Sequence, residues 1–128
     1  MSSATVYQPG VCNIGPAEIR RRRLSGWIGI AVSVVYLALA FGLGWAATWR
    51  LLVALPAMIA ATGFLQAAFH FCVNFGTRGL YNFGELGTEE TVYEAEFRKA
   101  DQRKALLITG LSLAIGLAVA VIAFLMPA

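Results

Sequence analysis

Residues 64–87 read FLQAAFHFCVNFGTRGLYNFGELG. Within this stretch an apolar helical run gives way to two Asn-Phe-Gly tripeptides, Asn74-Phe75-Gly76 and Asn82-Phe83-Gly84, and to further glycines at 79 and 87. It also holds the only histidine, His70, and one of two cysteines, Cys72. The first part is the end of a lipid-soluble helix. The second reads as consecutive turns, with Asn-x-Gly supplying side-chain caps and residues that tolerate positive φ. Everything before it therefore delivers the chain there through two membrane crossings, and everything after it returns the chain for a third.

Composition agrees. The 128 residues are 59% hydrophobic and 13% charged, against about 45–50% and about 25% in soluble domains. One small integral membrane domain, 1–128, is expected, with an N-terminal arm at 1–15 and a polar loop and helix at 73–104. The formal charge of +3 admits nucleic acid as a partner. The basic residues, however, flank apolar spans without aromatic interleaving or a nucleic-acid module, which points to lipid headgroups and topology instead.

From the N-terminus, residues 1–11 show no periodicity and are expected to form a mobile arm or a strand-like segment laid on a partner. Gly15 near the N-cap, Pro16 at the first helical position and Glu18 in the first turn predict a short interfacial helix over about 16–23. Its Arg20, Arg21, Arg22 and Arg23 are candidate contacts for anionic lipid headgroups, each worth about 1 kcal/mol near the surface. The first span, about 24–47, carries Trp27 and Trp45 about 27 Å apart, matching two interfacial aromatic belts. A cleavable signal peptide is the rival reading, but the apolar run is longer than the usual ~7–15 residues and more spans follow. Residues 46–50 close a tight hairpin into the second span, about 51–72, where Pro56 can introduce a kink. The third span, about 105–126, is expected to continue an amphipathic helix over about 89–104. That helix would start at Thr88, or at Thr91 with Glu94 as a capping box, and carry a Tyr93, Phe97, Ala100 stripe and a Glu94–Arg98 ion pair. The predicted fold class is all-α integral membrane.

Apolar burial cannot drive helices together in lipid, so small residues must allow close approach. Each span has such a stripe: Gly26, Gly29, Ser33, Ala40 and Gly44; Ala57, Ala60, Gly63 and Ala67; Thr109, Ser112, Gly116, Ala120 and Ala123. Together they predict a compact three-helix bundle. Surplus stripe would serve self-association or another membrane protein.

Nine of the ten lysines and arginines and all seven carboxylates lie on one side of the spans, leaving Arg50 alone on the other. By the positive-inside rule the N-terminus and the long loop are cytoplasmic and the C-terminus is outside.

Two constellations are candidates for chemistry. Gln66, His70 and Asn74 stack at i, i+4 and i+8 if the second helix continues, a polar stripe able to bind haem, a metal or another cofactor, or simply to bond loop carbonyls and fix the hairpin. Cys12 and Cys72 fall at the same interface and, with His70, are candidate metal ligands or a redox dithiol. His70 and Cys72 cannot share a ligand on a regular helix, since residues two apart point about 200° apart. There is no P-loop, GxSxG, CxxC or HExxH, and no carboxylate within a span to relay protons or cations. The leading expectation is a non-enzymatic structural or accessory subunit without a cofactor, its polar face a docking surface. The alternative is a redox or cofactor-binding membrane protein.

With CNIGPAEIRRRR before the first span and GFLQAAFHFCVNFGTRGLYNFG closing the second, the chain resembles a group of small uncharacterised bacterial three-helix inner-membrane proteins. The likeness covers most of the chain after Gly10. It implies placement in the bacterial inner membrane and carries no catalytic residue across.

Overall fold

A computed structural model describes residues 7–127. The first part of the expected arm, residues 1–6, lies outside the described residues. The chain is mostly helical, and three of its helical segments are long and apolar enough to cross a membrane.

Helix α1 runs Pro16–Gly42 without interruption. The separate interfacial helix expected at 16–23 is instead its first turns, because nothing after Pro16 breaks the helix and the four arginines are good helix formers. The first span stops at Gly42, short of the expected 47, where Gly44 at φ +69° reverses the chain. Only glycine adopts that conformation without penalty. A short helix α2, Ala47–Arg50, and a 3-10 turn, Leu51–Val53, lead into α3, Ala54–Phe69. The 3-10 turn sits where Pro56 removes a helical donor, so the kink anticipated at that proline takes the form of a tightened turn.

The second span ends at Phe69, three residues before the expected 72, because His70 adopts the left-handed conformation at φ 55°. The stretch expected to be turns begins with a helix, α4, Val73–Arg78. Strands β1, Leu80–Tyr81, and β2, Glu90–Thr91, then pair antiparallel, a two-residue ladder in a mostly helical chain. That pairing takes the residues expected to start the next helix, and α5 begins only at Ala95 and runs unbroken to Leu125. Thr91 therefore forms no capping box, and Tyr93 precedes the helix. The Arg98 guanidinium donates to the carbonyls of Val92 and Tyr93, in place of the expected pairing with Glu94.

Helix α3 is the middle element, packed on α1 along one side and α5 along the other. The α1–α3 contact is glycine to backbone: a Cβ at Gly63 would stand 2.5 Å from Gly26 N and 2.7 Å from Arg22 O, and one at Gly29 would stand 2.5 Å from Ala60 N. On α5, Ser112, Gly116, Ala120 and Ala123 are buried as the stripe anticipates, while Thr109 is exposed and Gly44 serves the turn. Helices α1 and α5 contact each other far less than either contacts α3. Ile30 and Val34 face Ile115 and Val119 across a groove floored by Ala57 and Ala61.

Arg50, the lone basic residue at the far end, is only 4% exposed. Its guanidinium donates to the carbonyls of Ala123 and Met126 and lies 4.2 Å from the Phe41 ring centroid. A cation on the orphan carbonyls of a helix C-terminus complements the macrodipole, so Arg50 ties the hairpin to the end of α5.

Candidate functional site

At the basic end, residues 7–23 and 70–101 fold into one headpiece held by buried polar side chains. Asn13 is fully buried. Its Oδ1 accepts from Cys72 N at 2.7 Å and its Nδ2 donates to Cys72 O at 3.3 Å, so one side chain satisfies both backbone groups of the residue that leaves the second span. The main chain adds bonds from Asn13 N to His70 O and from Asn82 N to Asn13 O. The left-handed turn at His70 thus presents its carbonyl to the segment entering α1.

Asn82, from the second Asn-Phe-Gly, is the other centre. Its Nδ2 donates to Glu18 Oε2 at 3.0 Å and to Glu85 O at 2.8 Å, and its Oδ1 accepts from Gly84 N and Thr88 Oγ1. The bond from Gly84 is the expected Asx turn. The bond to Glu18 is the one that joins the loop to α1. Gly15 N donates to Asn82 O, and a Cβ at Gly15 would meet Phe83 Cα and O at 2.9 Å, which explains a glycine between Ile14 and Pro16. The first Asn-Phe-Gly behaves differently: Asn74 is exposed in α4, and Phe75 and Gly76 are buried.

Glu18 is 1% exposed and pairs with Arg22, whose Nη1 lies 3.1 Å from Oε1. The same guanidinium donates from Nη2 to Cys72 Sγ at 2.7 Å and lies over the Phe75 ring. Arg22 is thereby turned inward, whereas Arg20, Arg21 and Arg23 are exposed.

Asp101, buried in the first turns of α5, accepts from Tyr7 Oη at 2.6 Å and Gly10 N at 2.7 Å. The Tyr7 ring stacks on Tyr81. Burial, reinforced by the Asp101 hydrogen bond and charge, pushes the Tyr7 hydroxyl well above the ordinary tyrosine range. The described part of the arm is therefore laid on its own chain, against α5 and β1.

The expected Gln66, His70, Asn74 stack is not formed, because the helix ends between its first two members. Gln66 Oε1 accepts from Val73 N and its Nε2 donates to Thr62 O, so Gln66 fixes the exit from α3. His70 is half-buried and acts through its backbone carbonyl. Cys12 and Cys72 are both buried. Burial raises the Cys12 thiol above its usual range, which disfavours the thiolate that metals and disulfide chemistry require. Among the described residues, no three His, Cys, Asp or Glu side chains gather into a group able to hold a metal ion.

The sequence pattern assigns no role to Asn13, Asp101 or Tyr7, and to Glu18 only a place in the first helical turn. The i, i+4 spacing of Glu18 and Arg22 was the one available signal. Nothing in the chain marks Asp101 as the partner of a tyrosine 94 positions away. Outside these contacts the headpiece shows apolar side chains to solvent: Tyr93 is 83% exposed, Val11 54% and Leu86 50%. A polar cleft of about 580 Å³ opens beside it, lined by α1, α3, α4 and Glu89. No family model, curated protein or solved structure matches the chain.

Proposed function

We propose that this chain is a non-enzymatic structural or accessory subunit of a bacterial inner membrane, with the headpiece cytoplasmic and the C-terminus outside, whose headpiece docks another membrane protein or a second copy of itself. The observation that supports the reading is the pairing of a rigidly cross-bonded interior with exposed Tyr93 and Leu86. Buried polar networks fix one conformation, and large apolar side chains left exposed outside the lipid mark interaction surfaces. The nine basic residues at that end supply the sidedness. The three-helix layer is then an anchor, and the α1–α5 groove is a face on which a further helix can pack.

The reading is tested by extracting the protein from its native membrane in mild detergent and sizing the complex. Changing Tyr93→Ser together with Leu86→Ser is expected to weaken the association at least about tenfold, as for loss of an aromatic interface anchor. A wild-type chain that runs as a lone monomer at native density, or a double variant whose complex is unchanged, contradicts it.

A further inference from the structure

We infer that the cleft beside the headpiece and the groove running from it down α3 form one binding site for a single anionic phospholipid. The polar cleft and an apolar groove of about 460 Å³ share Arg22, Ser25, Thr62 and Gln66 in their walls, so they are continuous. The groove is otherwise lined by Gly63, by Met58, which packs against Gly116 of α5, and by Leu55 and Ile59, which are exposed on the apolar surface of α3. From Gln66 to Leu55 the helix rises about 16 Å. That is close to half of a hydrocarbon core of about 30 Å, the length of one acyl chain in one leaflet.

The head of the site lies at the basic end, where a lipid phosphate sits. Arg21 on α1 and Arg78 at the end of α4 both line the cleft and are exposed, and among the described residues neither has a hydrogen-bond or ion-pair partner. Two guanidiniums from two different helices suit a phosphodiester, which an arginine can grip bidentately. Two carboxylates also line the cleft. Glu18 is already held by Arg22 and Asn82, and Glu89 stands exposed at the rim. The remaining charge is positive, and Ser25 and Asn74 supply neutral polar groups beside it. Arg20 and Arg23 do not line the cleft. They face the bulk surface, so the four-arginine run divides into a general headgroup contact and a specific one.

The test uses the full chain purified with an equal mixture of phosphatidylglycerol and phosphatidylcholine of the same acyl composition, examined by native mass spectrometry. One phosphatidylglycerol is expected to stay on each chain. The variant Arg21→Gln with Arg78→Gln is expected to hold it about thirtyfold less tightly, and the charge-matched control Arg20→Gln with Arg23→Gln to change retention by less than about threefold. All four arginines are exposed, so thermal unfolding of the delipidated chain should be unchanged in each variant. Equal loss in the two variants would show diffuse surface attraction and overturn the site. Equal retention of phosphatidylcholine would reduce it to groove filling, and displacement of the lipid by millimolar inorganic phosphate would make it a phosphate site. Either result overturns the inference.

Discussion

Replacing Asn82 with alanine is expected to unfold the headpiece while leaving the three long helices formed. The side chain makes four hydrogen bonds, and the most consequential is the one from Nδ2 to Glu18 Oε2. Glu18 is 1% exposed, so removing that donor leaves part of a buried carboxylate without compensation. Each buried group left unsatisfied costs about 1–3 kcal/mol, and more when it is charged. The sum for Asn82→Ala is about 4 kcal/mol, a large share of the stability of a small domain. Asn82→Asp sharpens the test. It keeps the acceptor for Gly84 and Thr88 but loses both donated bonds and sets a second carboxylate against Glu18, so it should destabilise at least as much. Denaturant titration in detergent, followed by near-ultraviolet dichroism for the headpiece and far-ultraviolet dichroism for the helices, separates local from global loss. A headpiece that melts as in the wild type in both variants would mean that Asn82 is not its centre.

Gly63→Leu is expected to separate α1 from α3. The Cβ alone would lie 2.5 Å from Gly26 N and 2.7 Å from Arg22 O, and both are main-chain atoms that cannot swing aside. The helices must move apart, which forfeits the close packing that holds them together in lipid. Overpacking a tight contact costs about 1–3 kcal/mol when the neighbours can adjust and more when they cannot. The effect here should exceed about 3 kcal/mol and also disturb Arg22, whose carbonyl is one of the blocked atoms. Gly110→Ala is the control: a Cβ there meets nothing within 4 Å, and alanine in a helix interior is favoured over glycine by about 0.5–1 kcal/mol. Loss of stability in Gly63→Leu with none in Gly110→Ala is the predicted pattern, read from unfolding midpoints. Equal tolerance at both positions would remove the basis for the α1–α3 interface.

The long-range order of the molecule was legible because apolar length and small-residue spacing are local properties of the chain. The three spans and the buried faces of Gly26, Gly29, Ala60, Gly63 and Gly116 follow from them. Boundaries were harder. Gly44 and His70 both turn the chain by adopting positive φ, and a histidine in that conformation carries no sequence signal comparable to a glycine's. The helix expected at 89 lost its first residues to a two-residue ladder, a tertiary pairing that overrides local propensity. The site was legible only in part. The Asn82 turn followed from Asn-x-Gly, but identical tripeptides at 74–76 and 82–84 took different structures, because Gly76 packs against Phe71 and α5 while Gly84 is exposed. Asn13 and Asp101 act on partners 59 and 91–94 positions away, and no local pattern encodes such pairs.

These bonds make the basic end a single fixed body, and proton exchange reports on it amide by amide. Hydrogen–deuterium exchange of the chain in lipid nanodiscs should find the amides of Gly15, Cys72 and Asn82, which donate to Asn82 O, Asn13 Oδ1 and Asn13 O, as slow as those in the middle of α3. Exchange of these three amides at the rate of an unstructured peptide, with α3 still protected, would show a loose loop on three membrane helices and contradict the account.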